Sequence, residues 1–167
     1  MKRRIDFVTN SSSSSFILAF DKDNSYYRFL EMCNLLDYGS LAKIVSTEIE
    51  NSTLEQRKNN AKELLKNYFD FMHFRNDLIK ERFPEYDGEF NIKYSEYTRS
   101  DEYDEKLNER LSRCQEYQNK VRRIDNAKEV VEKCVWDSNG GILEWAIRHG
   151  FLEDEFKGQL VQIWNMG

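Results

Sequence analysis

Five consecutive serines, Ser11–Ser15, form the densest group of nucleophile-type side chains in the sequence. Hydroxyls and backbone N–H groups can hold a phosphate, but a P-loop also needs glycines for close backbone approach and a lysine for charge. The run contains no glycine, no lysine directly follows it, and it lacks the G-x-S-x-G pattern of a nucleophile elbow. A polar turn is therefore favoured. Two alternatives remain open, a phosphate-binding or catalytic loop and modification by phosphorylation or dehydration at Ser11, Ser12, Ser13, Ser14 and Ser15.

The two histidines, His73 and His149, are the next candidates for acid–base or metal chemistry. Neither has a second His or Cys at the spacing of a zinc site, so no metal and no cofactor is predicted. Glu144 and the acidic run 153–155 lie near His149 in the sequence and could supply carboxylates to it. A small hydrolase-like enzyme that uses His149 is therefore kept as an alternative, although a structural role is favoured for both histidines.

A third group of chemically distinctive residues is the segment 85–105, which has eight acidic and two basic residues with four tyrosines between them. Carboxylates steer a protein toward a basic partner, and aromatic side chains often anchor the centre of an interface. A solvated connection between two helices is the other interpretation. The predicted partner-binding residues are Tyr86, Glu89, Tyr94, Glu96, Tyr97, Asp101, Glu102 and Tyr103.

The overall charge limits the class of partner. With 25 Lys and Arg against 30 Asp and Glu, the net charge is −5, so direct nucleic-acid binding is not expected and the partner is predicted to be a basic protein. Basic residues dominate from Lys106 to Arg123, directly after the acidic segment. This alternation of sign could equally support self-association, head to tail or across a two-fold axis, so a homodimer stays open.

The cysteines and the N-terminus indicate a compartment. Three cysteines, Cys33, Cys114 and Cys134, form no C-x-x-C pair, and an odd number does not suit a secreted disulfide framework. Asp6 and the polar stretch that follows interrupt any secretory h-region. We therefore expect buried thiols, no membrane association and a cytoplasmic protein.

The two ends of the chain are predicted to form a sheet. Apolar residues just before and just after the serine run indicate two short strands, and residues 160–164 read as a terminal strand. Because an isolated hairpin is marginal in water, the terminal strand is expected to join the N-terminal pair. Residues 142–149 read as a short helix that ends at a Gly150 cap.

Two long amphipathic helices are predicted between these ends. The first starts at a Ser52 or Thr53 cap, with Glu55 or Gln56 completing a capping box, and runs to Phe83 before Pro84. The alternation across 89–94 indicates a strand after the Asp87-Gly88 turn. The second helix runs from Tyr103 to Cys134, which would put Cys114 and Cys134 on one helix. The two helices are expected to pack antiparallel.

These elements predict an α+β fold, a predominantly helical single domain with a long antiparallel helical hairpin and a small sheet formed by the N- and C-terminal strands. A length of 167 residues suits one domain. Within it we expect a terminal module, residues 1–25 plus 137–167, and a helical insert, residues 26–136.

The opening Asp6-Phe7-Val8-Thr9-Asn10 followed by Ser11–Ser15 and Phe16-Ile17 resembles the start of a set of small uncharacterised proteins of low-GC bacteria and their phages. The segment 143–151 and the ending Trp164-Asn165-Met166-Gly167 look like the matching terminus of some of them. The resemblance covers about a third of the chain and implies bacterial or phage origin and a recurring terminal module with a variable insert. It implies no catalytic residue.

Together these observations favour a non-enzymatic protein-interaction module, an inhibitor or accessory factor that docks its acidic, tyrosine-rich connection on a basic partner. A host defence nuclease with a basic groove is one such partner. The alternatives are a substrate of a modifying or processing enzyme, recognised through its serine run, and the His149 hydrolase.

Overall fold

The computed structural model describes residues 13–21, 25–35, 39–135 and 160–166. Their helices and strands follow in chain order: β1 (Ser13–Phe20), α1 (Ser25–Leu35), α2 (Gly39–Glu50), α3 (Leu54–Phe69), a π-helical turn (Asp70–Phe74), α4 (Arg75–Arg82), α5 (Ile92–Tyr97), α6 (Asp101–Arg113), α7 (Gln115–Asn126), β2 (Glu129–Val135) and β3 (Leu160–Met166). The predicted α+β class, with a long helical hairpin and a small antiparallel sheet, is confirmed.

The sheet has the order β2-β1-β3, and β1 pairs antiparallel with both neighbours. Ser14 is opposite Val135 in one ladder, and Ser13 is opposite Met166 in the other. The expected meeting of the chain ends is therefore present as the β1–β3 pair. The predicted polar turn is wrong for Ser13–Ser15, because these residues are extended and belong to β1. Ser14 and Ser15 pair with both β2 and β3. Ser11, Ser12 and the strand predicted before them lie outside the described residues.

Two compact units divide the chain, residues 1–61 with 123–167, and residues 62–122. The first unit holds the sheet together with α1 and α2, whereas the sequence grouped residues 26–61 with the helical insert. Four consecutive residues of β1, positions 17–20, are buried, so both faces of this strand are covered. The Phe20 ring packs edge-on against Phe29 of α1, with 5.5 Å between centroids.

The first long helix is confirmed, with one local difference. The Thr53 backbone N–H donates to Gln56 Oε1 at 2.9 Å and the Gln56 N–H donates to Thr53 Oγ1 at 3.2 Å, which is the predicted capping box. Helix α4 ends at Arg82, two residues before Pro84. The sequence did not reveal the π-helical turn, in which the Arg75 N–H donates to the Asp70 carbonyl, an i to i+5 bond.

The strand predicted at 89–94 was wrong. Asn91 caps α5 instead, its side chain accepting from the Lys93 N–H at 3.0 Å. Of the three alternating apolar residues, Phe90 and Ile92 are exposed and only Tyr94 is buried. Because the alternation buries no common face, a helix cap determines the local structure.

The second long helix was wrong in its extent. It divides into α6 and α7 at Cys114, whose backbone is extended, and it ends at Asn126 before β2 begins. Cys134 therefore lies on a strand and shares no helix with Cys114. Val130 and Val131 are both fully buried, and consecutive buried β-branched residues favour a covered strand over one face of a helix. The predicted helix 142–149 and its Gly150 cap lie outside the described residues.

Candidate interaction surface

The tyrosines predicted as anchors form an aromatic cluster inside the second unit. Ring centroids are 5.3 Å apart for Phe83–Tyr94, 4.9 Å for Tyr86–Tyr94 and 5.3 Å for Tyr97–Tyr103. Tyr94, Tyr97 and Tyr103 are buried and Tyr86 is half-buried. The prediction of partner contact is therefore wrong for Tyr94, Tyr97 and Tyr103, and it stays a prediction for Tyr86. Edge-to-face packing of large rings stabilises the connection itself, and the three buried rings have no surface to offer.

One end of the cluster is fixed by a buried carboxylate. The Tyr103 hydroxyl donates to Asp70 Oδ1, while Arg75 Nε donates to Asp70 Oδ2 at 3.0 Å. Residues five apart are not neighbours on an α-helix, and the π-helical turn is what brings Arg75 over Asp70. Burial, reinforced by the hydrogen bond to Asp70, raises the pKa of the Tyr103 phenol far above its ordinary value. This network holds the start of α6 on the turn that precedes α4.

The loop above the cluster has a defined backbone. Asp87 Oδ1 accepts from the Glu89 N–H at 3.0 Å, and Gly88 adopts φ +95°, a conformation that side chains rarely allow. Lys93 Nζ lies 2.6 Å from Glu85 Oε1 and 4.9 Å from the Tyr94 ring centroid. The bond to Glu85 raises the pKa of Lys93, and the same bond lowers the pKa of Glu85. These contacts attach both ends of the loop to the aromatic cluster.

Two apolar side chains project from this loop. Phe90 is 85% exposed and Ile92 is 68% exposed, although Phe83 and Tyr94 nearby are packed together. This exposed apolar pair is the exception, because the other aromatic rings of this region pack against one another. Sequence reasoning missed both because it assigned them to a strand face. The signal that would have found them is their position on either side of the Asn91 cap, just after the Asp87-Gly88 turn.

The four carboxylates predicted as partner-binding residues are all exposed: Glu89, Glu96, Asp101 and Glu102. Asp101 and Glu102 lie in the first turn of α6, where negative charge is favoured by the helix dipole. Ser100 caps this helix by accepting from the Tyr103 N–H at 3.2 Å. Glu102 Oε1 lies 3.4 Å from Lys106 Nζ and 3.9 Å from Arg82 Nε. Exposed pairs of this kind contribute little, so Glu102 can exchange them for a partner's cations.

A groove of about 620 Å³ lies between α4 and α6. Phe74, Leu78 and Cys114 provide its less polar lining. The charged residues of the lining are three cations and two carboxylates. Arg110 pairs with Glu81 across the groove, and Arg113 Nη2 lies 2.7 Å from Glu109 Oε1. We call this the α4–α6 groove. Its lining residues are Phe74, Leu78, Glu81, Lys106, Glu109, Arg110, Arg113 and Cys114.

Among the described residues, the other candidates do not form a common site. His73 is exposed and packs on the Phe69 ring, with 5.1 Å between centroids, and His149 lies outside the described residues. Within the described ranges, no three His, Cys, Asp or Glu side chains form a group that could hold a metal ion. The backbones of Ser14 and Ser15 are paired with strands on both sides.

No described helix has both the length and the apolar character that a membrane crossing requires. Comparison of the chain with protein-family models, with curated proteins and with solved structures gives no match.

Proposed function

We propose that this chain is a non-enzymatic, cytoplasmic protein-interaction module of bacterial or phage origin that docks on a basic protein and acts as an inhibitor or accessory factor. The observation that carries the proposal is the exposure of Phe90 and Ile92 on a loop braced by buried aromatic rings. Carboxylates at Glu89, Glu96 and Asp101 surround this apolar pair in the sequence and are exposed. An apolar centre with a charged rim is the usual composition of a protein-binding site.

The proposed recognition divides into two contributions. The carboxylates attract an Arg- or Lys-rich surface over several ångströms and raise the association rate, which makes binding sensitive to salt. Phe90 and Ile92 then enter an apolar depression and slow dissociation. The ordered loop reduces the conformational entropy that binding must remove. A host defence nuclease is a suitable partner class because its nucleic-acid groove is lined with cations.

The test is capture of the partner with the tagged full chain, followed by binding measurements on the purified pair. We expect added salt or RNA to weaken the complex. Simultaneous reversal of Glu89, Glu96, Asp101 and Glu102 to Lys should abolish it. The matched control reverses four exposed carboxylates on other helix surfaces, at Glu55, Glu63, Asp77 and Glu116. Binding that resists salt, RNA and the first set of reversals would refute the proposal.

A further inference from the structure

Two features of residues 62–122 carry an excess of opposite charge. The first is the projecting loop, residues 87–92, in which the exposed Phe90 and Ile92 are accompanied by the exposed carboxylates of Asp87 and Glu89. The second is the α4–α6 groove, where apolar residues are rimmed by an excess of cations. The loop therefore carries two carboxylates without a cation among residues 87–92, and the groove lining carries one more cation than carboxylates.

The groove has a suitable interior for an apolar side chain. Leu78 is almost fully buried and Phe74 is half-buried, so the apolar surface open to a guest comes chiefly from the Phe74 ring. Arg110 is held across the opening by its pair with Glu81, which leaves the groove with a fixed polar edge. Lys106 and Arg113 lie on the same face of α6, seven residues apart, and would meet the carboxylates of an entering loop.

The loop does not occupy the groove of its own chain, because Phe90 is 85% exposed. We propose that residues 87–92 of one copy insert into the α4–α6 groove of a second copy, with Phe90 against Phe74 and Leu78 and the loop carboxylates facing Lys106 and Arg113. The contact is directional, since one copy supplies the loop and the other the groove. It goes beyond the proposed function and does not depend on it.

Such self-association would also regulate the docking surface. A copy whose Phe90 is bound in the groove of a neighbour cannot present that side chain to another protein. The associated form would therefore be unable to dock on the partner. The contact is small compared with a standard protein interface, which indicates reversible association that follows protein concentration. Because opposite charges steer it, it should weaken as salt rises.

Sedimentation velocity over a range of concentrations at low and high salt is the first test. We expect the full chain to associate at high concentration and low salt, and expect F90D to raise the dissociation constant at least about tenfold. K106E/R113E should have a similar effect from the groove side. The controls are M72D, at an exposed apolar residue outside the loop, and K80E/R122E, which reverses two exposed cations that do not line the groove.

Complementation identifies the two halves of the contact. F90D keeps an intact groove and K106E/R113E keeps an intact loop, so a mixture of the two variants contains one productive pairing although each variant alone has none. Association in the mixture and not in the separate variants is the expected result. It would assign the loop to one copy and the groove to the other.

A carbodiimide cross-link locates the contact between the two copies independently of the variants. In a mixture of light and ¹⁵N-labelled chains, we expect bonds between Lys106 of one copy and Asp87 or Glu89 of the other. K106R keeps the charge and removes the reactive amine, so it should lose the cross-link and retain the association. A chain that stays monomeric at millimolar concentration and low salt would overturn the proposal, as would an oligomer that F90D leaves intact or cross-links that map elsewhere.

Discussion

The hydroxyl of Tyr103 donates a hydrogen bond to Oδ1 of Asp70, a carboxylate 33 residues earlier in the chain. Both side chains are buried, and the second oxygen of Asp70 is occupied by Arg75. The bond connects the first turn of α6 with the π-helical turn that precedes α4. It therefore fixes the first turn of α6, which carries the exposed carboxylates of Asp101 and Glu102.

Removal of the Tyr103 hydroxyl tests this link. Y103F leaves a buried carboxylate oxygen without its donor, and we expect the free energy of unfolding to fall by about 1–3 kcal/mol. D70N retains the volume and disturbs both partners, so it should cost more than Y103F. Urea unfolding followed by circular dichroism measures both. A Y103F protein as stable as wild type would show that the hydrogen bond contributes nothing.

The same phenol gives a pH dependence with a definite sign. Its pKa is raised in the folded protein, chiefly by burial and then by Asp70, above the value of 10.0 that an unperturbed tyrosine has. Above pH 10 the unfolded chain therefore loses this proton while the folded chain keeps it. Stability from this group is complete below pH 10 and declines at higher pH, by about 1.4 kcal/mol for each pH unit.

Burial also raises the pKa values of Tyr26 and Tyr117, so the wild-type decline contains more than one phenol. Comparison with Y103F isolates Tyr103, because the other two tyrosines titrate in both proteins. We expect a shallower decline above pH 10 in Y103F, measured by urea unfolding at several pH values. Parallel curves for the two proteins would contradict the raised pKa.

The helical hairpin was predictable where a single pattern determined the structure. Thr53 and Gln56 form the capping box that their spacing indicates, and Pro84 follows the end of α4. The π-helical turn was not predictable, because it depends on Tyr103 and Arg75 meeting Asp70 in three dimensions. The strand β2 was missed for a related reason. Val131 and Cys134 fit a helical period in sequence, and only pairing with β1 shows that they are strand residues.

The interaction surface was predictable in its charges and not in its apolar centre. Charged residues are rarely buried unless they are paired, as Asp70 is, so the exposure of Glu89, Glu96 and Asp101 follows from their residue type. Aromatic residues can be either buried or exposed, and the choice depends on neighbours that are distant in sequence. Tyr94 packs against Phe83 and is buried, whereas Phe90 projects from the loop and is exposed.

Alanine substitutions at Phe90 and Tyr94 should separate docking from stability. F90A removes an exposed ring, so we expect the free energy of unfolding to stay within about 0.5 kcal/mol of wild type. Y94A removes a ring that contacts Phe83 and Tyr86, and should cost about 3 kcal/mol. Thermal and urea unfolding of the two variants makes the comparison. Equal destabilisation would mean that Phe90 is packed in the folded protein.

Gly88 tests whether the loop backbone positions Phe90. Its φ of +95° is strained for any side chain, although the space where a Cβ would lie is open. G88A should therefore cost about 1 kcal/mol through the backbone alone, with no steric clash to relieve. We also expect weaker self-association, since the loop must change its path. Unfolding and sedimentation measurements that match wild type would show that the loop tolerates other conformations.

The first unit has its own long-range ion pair, between Arg57 of α3 and Glu129 at the start of β2. Arg57 Nη2 lies 2.6 Å from Glu129 Oε1, Nε donates to the Val130 carbonyl at 3.0 Å, and Nη1 donates to the Ser52 carbonyl at 2.5 Å. The guanidinium is buried and its planar fork donates to four residues, since Nη1 also donates to the Ile49 carbonyl at 3.3 Å. R57M should lower the free energy of unfolding by about 3 kcal/mol, because it removes the cation paired with Glu129 and the N–H donors to the Val130 and Ser52 carbonyls.

R57K is the control variant for R57M, since it keeps the positive charge and loses the planar guanidinium. We expect it to recover only part of the loss, because one ammonium cannot reach the Ser52 and Val130 carbonyls and Glu129 together. E129Q keeps an acceptor for Arg57 and should cost less than R57M. Urea unfolding of the three variants ranks them. If R57K were as stable as wild type, charge alone would account for the link between α3 and β2, and the geometry of the guanidinium would be irrelevant.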